Sequence, residues 1–97
     1  MYDIEKPVYE NLIDYFRQHT GIIQVILFGS RAKNTASFNS DIDLCIAAGE
    51  SSKADIKESI DALIGVYSCD IVFADELNRA LSNQIERDGI VIYKAES

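Results

Sequence analysis

This sequence predicts an α+β fold: a mixed β-sheet with helices packed on one face and a group of carboxylates on the other. Three observations lead there. Apolar residues recur at helical spacing in three segments, and short β-branched runs separate those segments. The resulting order is helix, strand, turn, strand, helix, strand, helix, strand. The stretch from residue 41 to 74 is long enough for a right-handed parallel crossover, whereas the link from Phe28 to Asp41 is short and favours an antiparallel pair.

The first helix runs from Pro7 to about Thr20. Val8, Leu12, Tyr15 and Phe16 fall on one face, Pro7 suits a first turn and Gly21 a C-terminal cap. Residues 22–28 (IIQVILF) read as a mostly apolar strand. A short helical turn starts at Ser30, NTASFNS is a loop, and a strand covers 41–47. Ser51 and Ser52 can cap a second helix, in which Ile56, Ile60, Leu63 and Ile64 form a stripe ending at Gly65. A strand over 66–74 follows. Asp75 then caps a third helix with Leu77, Leu81 and Ile85 on one face. Asp88-Gly89 turns the chain into a last strand, IVIY. Residues 1–97 are expected to form a single domain.

Chemistry concentrates between Gly29 and Asp43. Side chains alternate across a strand, so Asp41 and Asp43 share one face while Ile42 and Leu44 share the other. Aspartate is depleted in strands and like charges on one face repel, so a strand that keeps both calls for a cation. Mg²⁺ suits carboxylate oxygens and shares its shell with phosphates. The Gly29-Ser30 turn offers backbone that approaches phosphate closely. Topology adds Asp70, which sits near the N-terminal end of a strand expected to run parallel to the 41–47 strand. Three carboxylates can hold two Mg²⁺ ions for an in-line displacement at phosphorus, yielding a nucleotidylated acceptor and pyrophosphate. Asp70 is either a metal ligand or also the base for the acceptor hydroxyl. Ser30 is a phosphate ligand or a helix N-cap, and Arg31 contacts phosphate or forms a structural ion pair.

Composition narrows the partners. The chain has 97 residues, 47% hydrophobic and 26% charged, with a net charge of −7. Nucleic-acid binders normally carry a basic stripe, and here nine Lys and Arg are scattered among sixteen acids, which argues against a nucleic-acid partner. No apolar run is long enough to span a bilayer and the N-terminus is unlike a secretory signal, so no membrane partner is expected and the cytoplasm is the expected location. Cys45 and Cys69 lack zinc spacing. Cys45 shares the face of Asp41 and Asp43 while Cys69 is out of phase with Asp70, so the two thiols are expected on opposite faces, reduced. Lys33 and the Asp55, Glu58, Asp61 face of the second helix read as solvated. His19 reads as a dipole partner at a helix end, and Tyr2, Tyr9 and Tyr15 as ordinary packing.

The run LFGSRAK…SDIDLCIA…CDIVF…IERDGIVIY resembles the nucleotidyltransferase superfamily with the DNA-polymerase-β-type palm. Its pattern is Gly-Ser, a spacer, Asp-x-Asp and a later single Asp. More narrowly, residues 22 to 93 are similar to the minimal nucleotidyltransferases (MNT), many of which are antitoxins. That resemblance implies Mg²⁺-dependent transfer of AMP from ATP to a tyrosine of a HEPN-domain ribonuclease toxin. It implies a hetero-oligomer with that toxin. Asp41, Asp43 and Asp70 would be the catalytic, metal-binding carboxylates, and Gly29, Ser30 and Arg31 would hold the nucleotide. One departure is Asn34, where members commonly carry glycine; asparagine tolerates the left-handed backbone best among the other residues. The chain's length suggests that the acceptor is presented by another molecule. Two other readings compete: transfer to a small molecule such as an aminoglycoside, and a non-catalytic antitoxin that neutralises its partner by binding.

Overall fold

A computed structural model describes residues 2, 4–33, 41–49, 53–65 and 67–95. Helix α1 (Lys6–Gln18) leads into β1 (Ile22–Phe28), then β2 (Ile42–Ala48), α2 (Lys53–Ile64) and β3 (Cys69–Phe73). A 3₁₀ turn (Ala74–Glu76), α3 (Arg79–Asp88) and β4 (Ile90–Lys94) complete the order. The four strands form one sheet in the order β3-β2-β1-β4. Strand β1 pairs antiparallel with both β2 and β4, and β2 pairs parallel with β3, so the sheet is mixed. The short link thus makes an antiparallel pair and the helix-containing link a parallel one, as their lengths require.

Alternation along the strands divides the core in two. Val25 and Leu27 of β1, with Ile42, Leu44 and Ile46 of β2, bury against Leu12 and Phe16 of α1 and Ile56, Ile60 and Ile64 of α2. Each aliphatic side chain buried in this way contributes about 1.5–3 kcal/mol. The opposite face carries a smaller cluster of Phe28, Cys45 and Ile85, flanked by Ile26, Val72, Leu77 and Leu81. Two helices therefore pack on one face, as expected, and α3 departs. Its apolar stripe needs a partner, and the face already filled by α1 and α2 has no room, so α3 lies on the carboxylate side.

Local signals explain most boundaries. Pro7 stands in the first turn of α1, and the helix ends at His19, whose extended backbone donates its N–H to Tyr15 O. The His19 ring accepts a hydrogen bond at Nδ1 from Gly21 N–H (3.2 Å) and meets the Tyr15 ring edge-on. Gly65 ends α2 with a φ of +60°, the region glycine enters without strain. Helix α3 is capped by Asn78, whose side chain accepts from Leu81 N–H at 2.8 Å, rather than by Asp75. Asp75 lies in the 3₁₀ turn and pairs with Lys53 at 3.0 Å instead. The expected Ser51-Ser52 cap, the NTASFNS loop and Val66 lie outside the described residues.

Candidate active site

Strand register, rather than sequence proximity, assembles the site. In the parallel β2–β3 pair Asp43 stands opposite Asp70, and in the antiparallel β1–β2 pair it stands opposite Phe28. Asp41 lies immediately before β2, on the Asp43 side by alternation. Asp41 and Asp70 are exposed and Asp43 is half-buried. One end of the sheet thus carries Phe28, Asp43 and Asp70 across three neighbouring strands.

Gly29 follows Phe28 directly and closes over Asp43. Its φ is +76°, and a Cβ there would collide with the Asp43 carboxylate oxygen and stand 3.1 Å from the carboxyl carbon. Glycine is demanded twice, by backbone conformation and by space. The chain then makes one turn in which Lys33 N–H donates to Gly29 O at 3.2 Å. Lys33, expected to be solvated, reaches Asp88 at the end of α3 at 3.4 Å. Asp88 accepts also from Arg87, and these cationic neighbours hold its carboxyl below the usual range.

Electrostatics at this edge is unfavourable without a cation. Burial, then the charges of Asp70 and Asp41, push the Asp43 carboxyl up to about 6, while Arg31 pulls it the other way. Among the described residues no three His, Cys, Asp or Glu side chains form a closed metal-binding group. The donor set still fits a hard divalent cation of the Mg²⁺ type. Its ligands are all oxygen, and such an ion takes one or two carboxylates and completes its shell with water and substrate phosphate rather than a protein cage.

Of the six residues singled out from the sequence, Gly29, Asp41, Asp43 and Asp70 meet here, and Ser30 follows Gly29 in the chain. Arg31 does not open onto them. It is 1% exposed, donates from Nη1 to Tyr2 O at 3.1 Å and lies 5.3 Å from the centre of the Tyr67 ring. These contacts are a carbonyl hydrogen bond and a ring contact rather than the expected ion pair, and the Arg31 charge still reaches Asp43. Asn34 lies outside the described residues. Both cysteines are free, Cys45 on the carboxylate face and Cys69 against the helices, as parity required. Burial, followed by Asp61 and the three site carboxylates, pushes the Cys69 thiol up to about 12.

Sequence reasoning missed two neighbours of Asp70. Lys57 and Asp61 of α2 line a cleft of about 130 Å³ with Cys69, Asp70 and Ile71. Their i, i+4 spacing was visible, but Asp61 read as part of a solvated face and Lys57 was not singled out, because only the packing of α2 on β3 brings them to Asp70.

A mixed sheet with carboxylates beside a Gly-Ser turn agrees with the nucleotidyltransferase class, which the family match shows. The chain belongs to the family described as "Polymerase beta, Nucleotidyltransferase", which it matches over residues 10–97. No curated protein matches the sequence. Among solved structures, it is similar to a toxin–antitoxin crystal structure with AMP-PNP, at a TM-score of 0.73 and 21% identity, covering 91% of this chain and 74% of that one. It is also similar to a chain in the structure of a tri-AMPylated HEPN toxin of Shewanella oneidensis in complex with MNT antitoxin. There the TM-score is 0.63 and identity 18%, over 91% of this chain and 71% of that one. A structure put forward as a minimal nucleotidyltransferase is 30% identical at a TM-score of 0.62, covering 84% of this chain and 83% of the other.

Proposed function

We propose that this chain transfers AMP from ATP to a tyrosine hydroxyl of a HEPN-domain toxin, and so acts as an antitoxin in a hetero-oligomer with it in the cytoplasm. The observation that carries the reading is the Asp43–Asp70 register beside Gly29, an edge on which carboxylates gather where a cation-bound triphosphate fits. Similar folds in toxin–antitoxin complexes, one with AMP-PNP and one with an AMPylated HEPN toxin, support the donor and the acceptor. The net charge of −7 argues against a nucleic-acid acceptor.

In this reading Gly29 and Ser30 hold the terminal phosphates through backbone N–H groups. Asp41, Asp43 and Asp70 would hold Mg²⁺, which when bound neutralises phosphate charge and acidifies the acceptor hydroxyl. Asp70, exposed on the edge strand, would also take the hydroxyl proton in this reading. The acceptor oxygen bonds to the α-phosphorus of ATP, the bond from that phosphorus to the bridging oxygen breaks, and pyrophosphate leaves. The whole chain, residues 1–97, works as one domain in this scheme.

The test is to incubate the protein with Mg²⁺, labelled ATP and the protein encoded beside it, and to weigh that neighbour. A mass gain of one or more AMP units on a tyrosine, lost with Asp41→Asn plus Asp43→Asn, is the expected result. Full neutralisation by the double variant would assign the protein to occlusion instead. Label appearing on an added aminoglycoside would assign it to small-molecule transfer.

A further inference from the structure

Strand β4 is an open edge of the sheet, with β1 as its only strand neighbour among the described residues. Such an edge presents unpaired backbone N–H and C=O groups, and proteins usually guard it with charge or proline. Here the strand reads Ile-Val-Ile-Tyr-Lys, with a charge only at its last position. Val91 on β4 and Ile23 on adjacent β1 are 51% and 54% exposed, and they are the exposed large hydrophobic residues among those described.

A groove of about 660 Å³ runs between this strand and α1. Ile13, Ile92 and Tyr93 give it an apolar wall, and Arg17, His19 and Lys94 border it. No Asp or Glu is among its described lining residues, although the chain holds sixteen acids against nine Lys and Arg. Arg17 touches Asp14 of the same helix at 3.9 Å, an exposed pair of the kind that contributes little.

We propose that the groove and the β4 edge dock an extended acidic segment of the acceptor protein as an added strand. Main-chain hydrogen bonds along β4 supply affinity, and carboxylates facing Arg17 and Lys94 supply selection. A second copy of this chain would add the strand Ile-Val-Ile-Tyr-Lys, which carries no carboxylate for Arg17 and Lys94. The proposal rests on the transferase reading for the identity of the acceptor.

Register places the Lys94 end of this dock, with the groove and its cations, at the far end of the sheet from the chemistry. Lys94 stands opposite Gln24, near the start of β1, while Ile90 stands opposite Leu27, near Phe28 and Gly29. A seven-residue strand spans roughly 20 Å. An anchor at that distance raises the effective concentration of the acceptor hydroxyl without occupying the site.

The experiment measures binding and amide hydrogen exchange in β4 with two probes. One is the protein encoded beside this chain, and the other is a labelled peptide alternating Glu and Val, with a Lys-for-Glu peptide as control. The proteins are the parent, Arg17→Glu plus Lys94→Glu, and Asp41→Asn plus Asp43→Asn. The neighbour and the Glu peptide should slow exchange in β4 of the parent, and the charge reversal should weaken both by about tenfold. The carboxylate variant should dock like the parent while transferring nothing, which separates docking from chemistry. A neighbour that docks at β4 yet is never AMPylated would sustain the dock and sink the transferase reading. Unchanged binding after charge reversal, equal binding of the Lys peptide, or β4 protection caused by self-association alone would overturn the proposal.

Discussion

Asp43 combines more constraints than any other side chain at the sheet edge. It is half-buried, faces Asp70 across the parallel ladder, and lies under a glycine whose missing Cβ makes its space. An acid whose folded pKa lies above its unfolded value binds more protons when folded, so stability falls as pH rises through that window. For Asp43 the window runs from the ordinary 3.8 to about 6. The Asp43→Asn variant is therefore expected to melt above the parent at pH 7 and to lose that advantage near pH 4, by calorimetry at both values. The same variant should lose transfer by about a hundredfold or more. Two glycines offer a sharper comparison. Gly29 and Gly65 both have positive φ, but a Cβ at Gly65 meets nothing within 4 Å. Alanine at either position should cost about 1–2 kcal/mol from backbone strain, and only Gly29→Ala should also abolish transfer. Equal activity losses in the two variants would refute the steric account of Gly29.

Helix α3 shows where local signals mislead. Asp75 and Asn78 are both good N-cap residues, and the sequence alone favours Asp75 because Leu77, Leu81 and Ile85 then fall within the helix. In the fold a 3₁₀ turn intervenes, Asn78 takes the cap, and Asp75 is drawn to Lys53 of α2. Asn78→Ala is expected to cost about 1 kcal/mol, whereas Asp75→Ala removes only an exposed ion pair, worth less than about 1 kcal/mol. Chemical denaturation distinguishes the two, and the opposite ranking would return the cap to Asp75. Strand β1 was legible to its ends, since IIQVILF lies between a helix-ending Gly21 and the Gly29 turn. The face chosen by α3 was not legible. That choice depends on whether α1 and α2 have already filled the other side, a property of assembled elements rather than of any segment.

At the scale of the whole molecule, the carboxylate edge was readable because it follows from alternation and strand direction alone. Asp70 could be placed beside Asp43 without a structure, since parallel strands align their N-terminal ends. The burial of Arg31 depended instead on Tyr2 and Tyr67, which lie far from it in sequence, one before α1 and the other between α2 and β3. The repulsion stored at the edge makes a further prediction. A divalent cation that binds only the folded chain should raise Tm at pH 7. The gain should shrink at pH 5, where protons compete for Asp43, and should vanish in the Asp41→Asn plus Asp43→Asn variant. Thermal melts in Mg²⁺ at the two pH values check this, and an equal gain in the double variant would locate the ion elsewhere.

The direct facing of Asp43 and Asp70 also makes the protein a reporter of its own folding. A slip of β3 by one residue would turn Asp70 toward α1 and α2 and bring Cys69 to the outer face in its place. Such a molecule could keep its secondary structure and much of its compactness while losing one carboxylate from the edge. Transfer activity per milligram would then count correctly registered molecules, a census that circular dichroism or size measurements alone could not take.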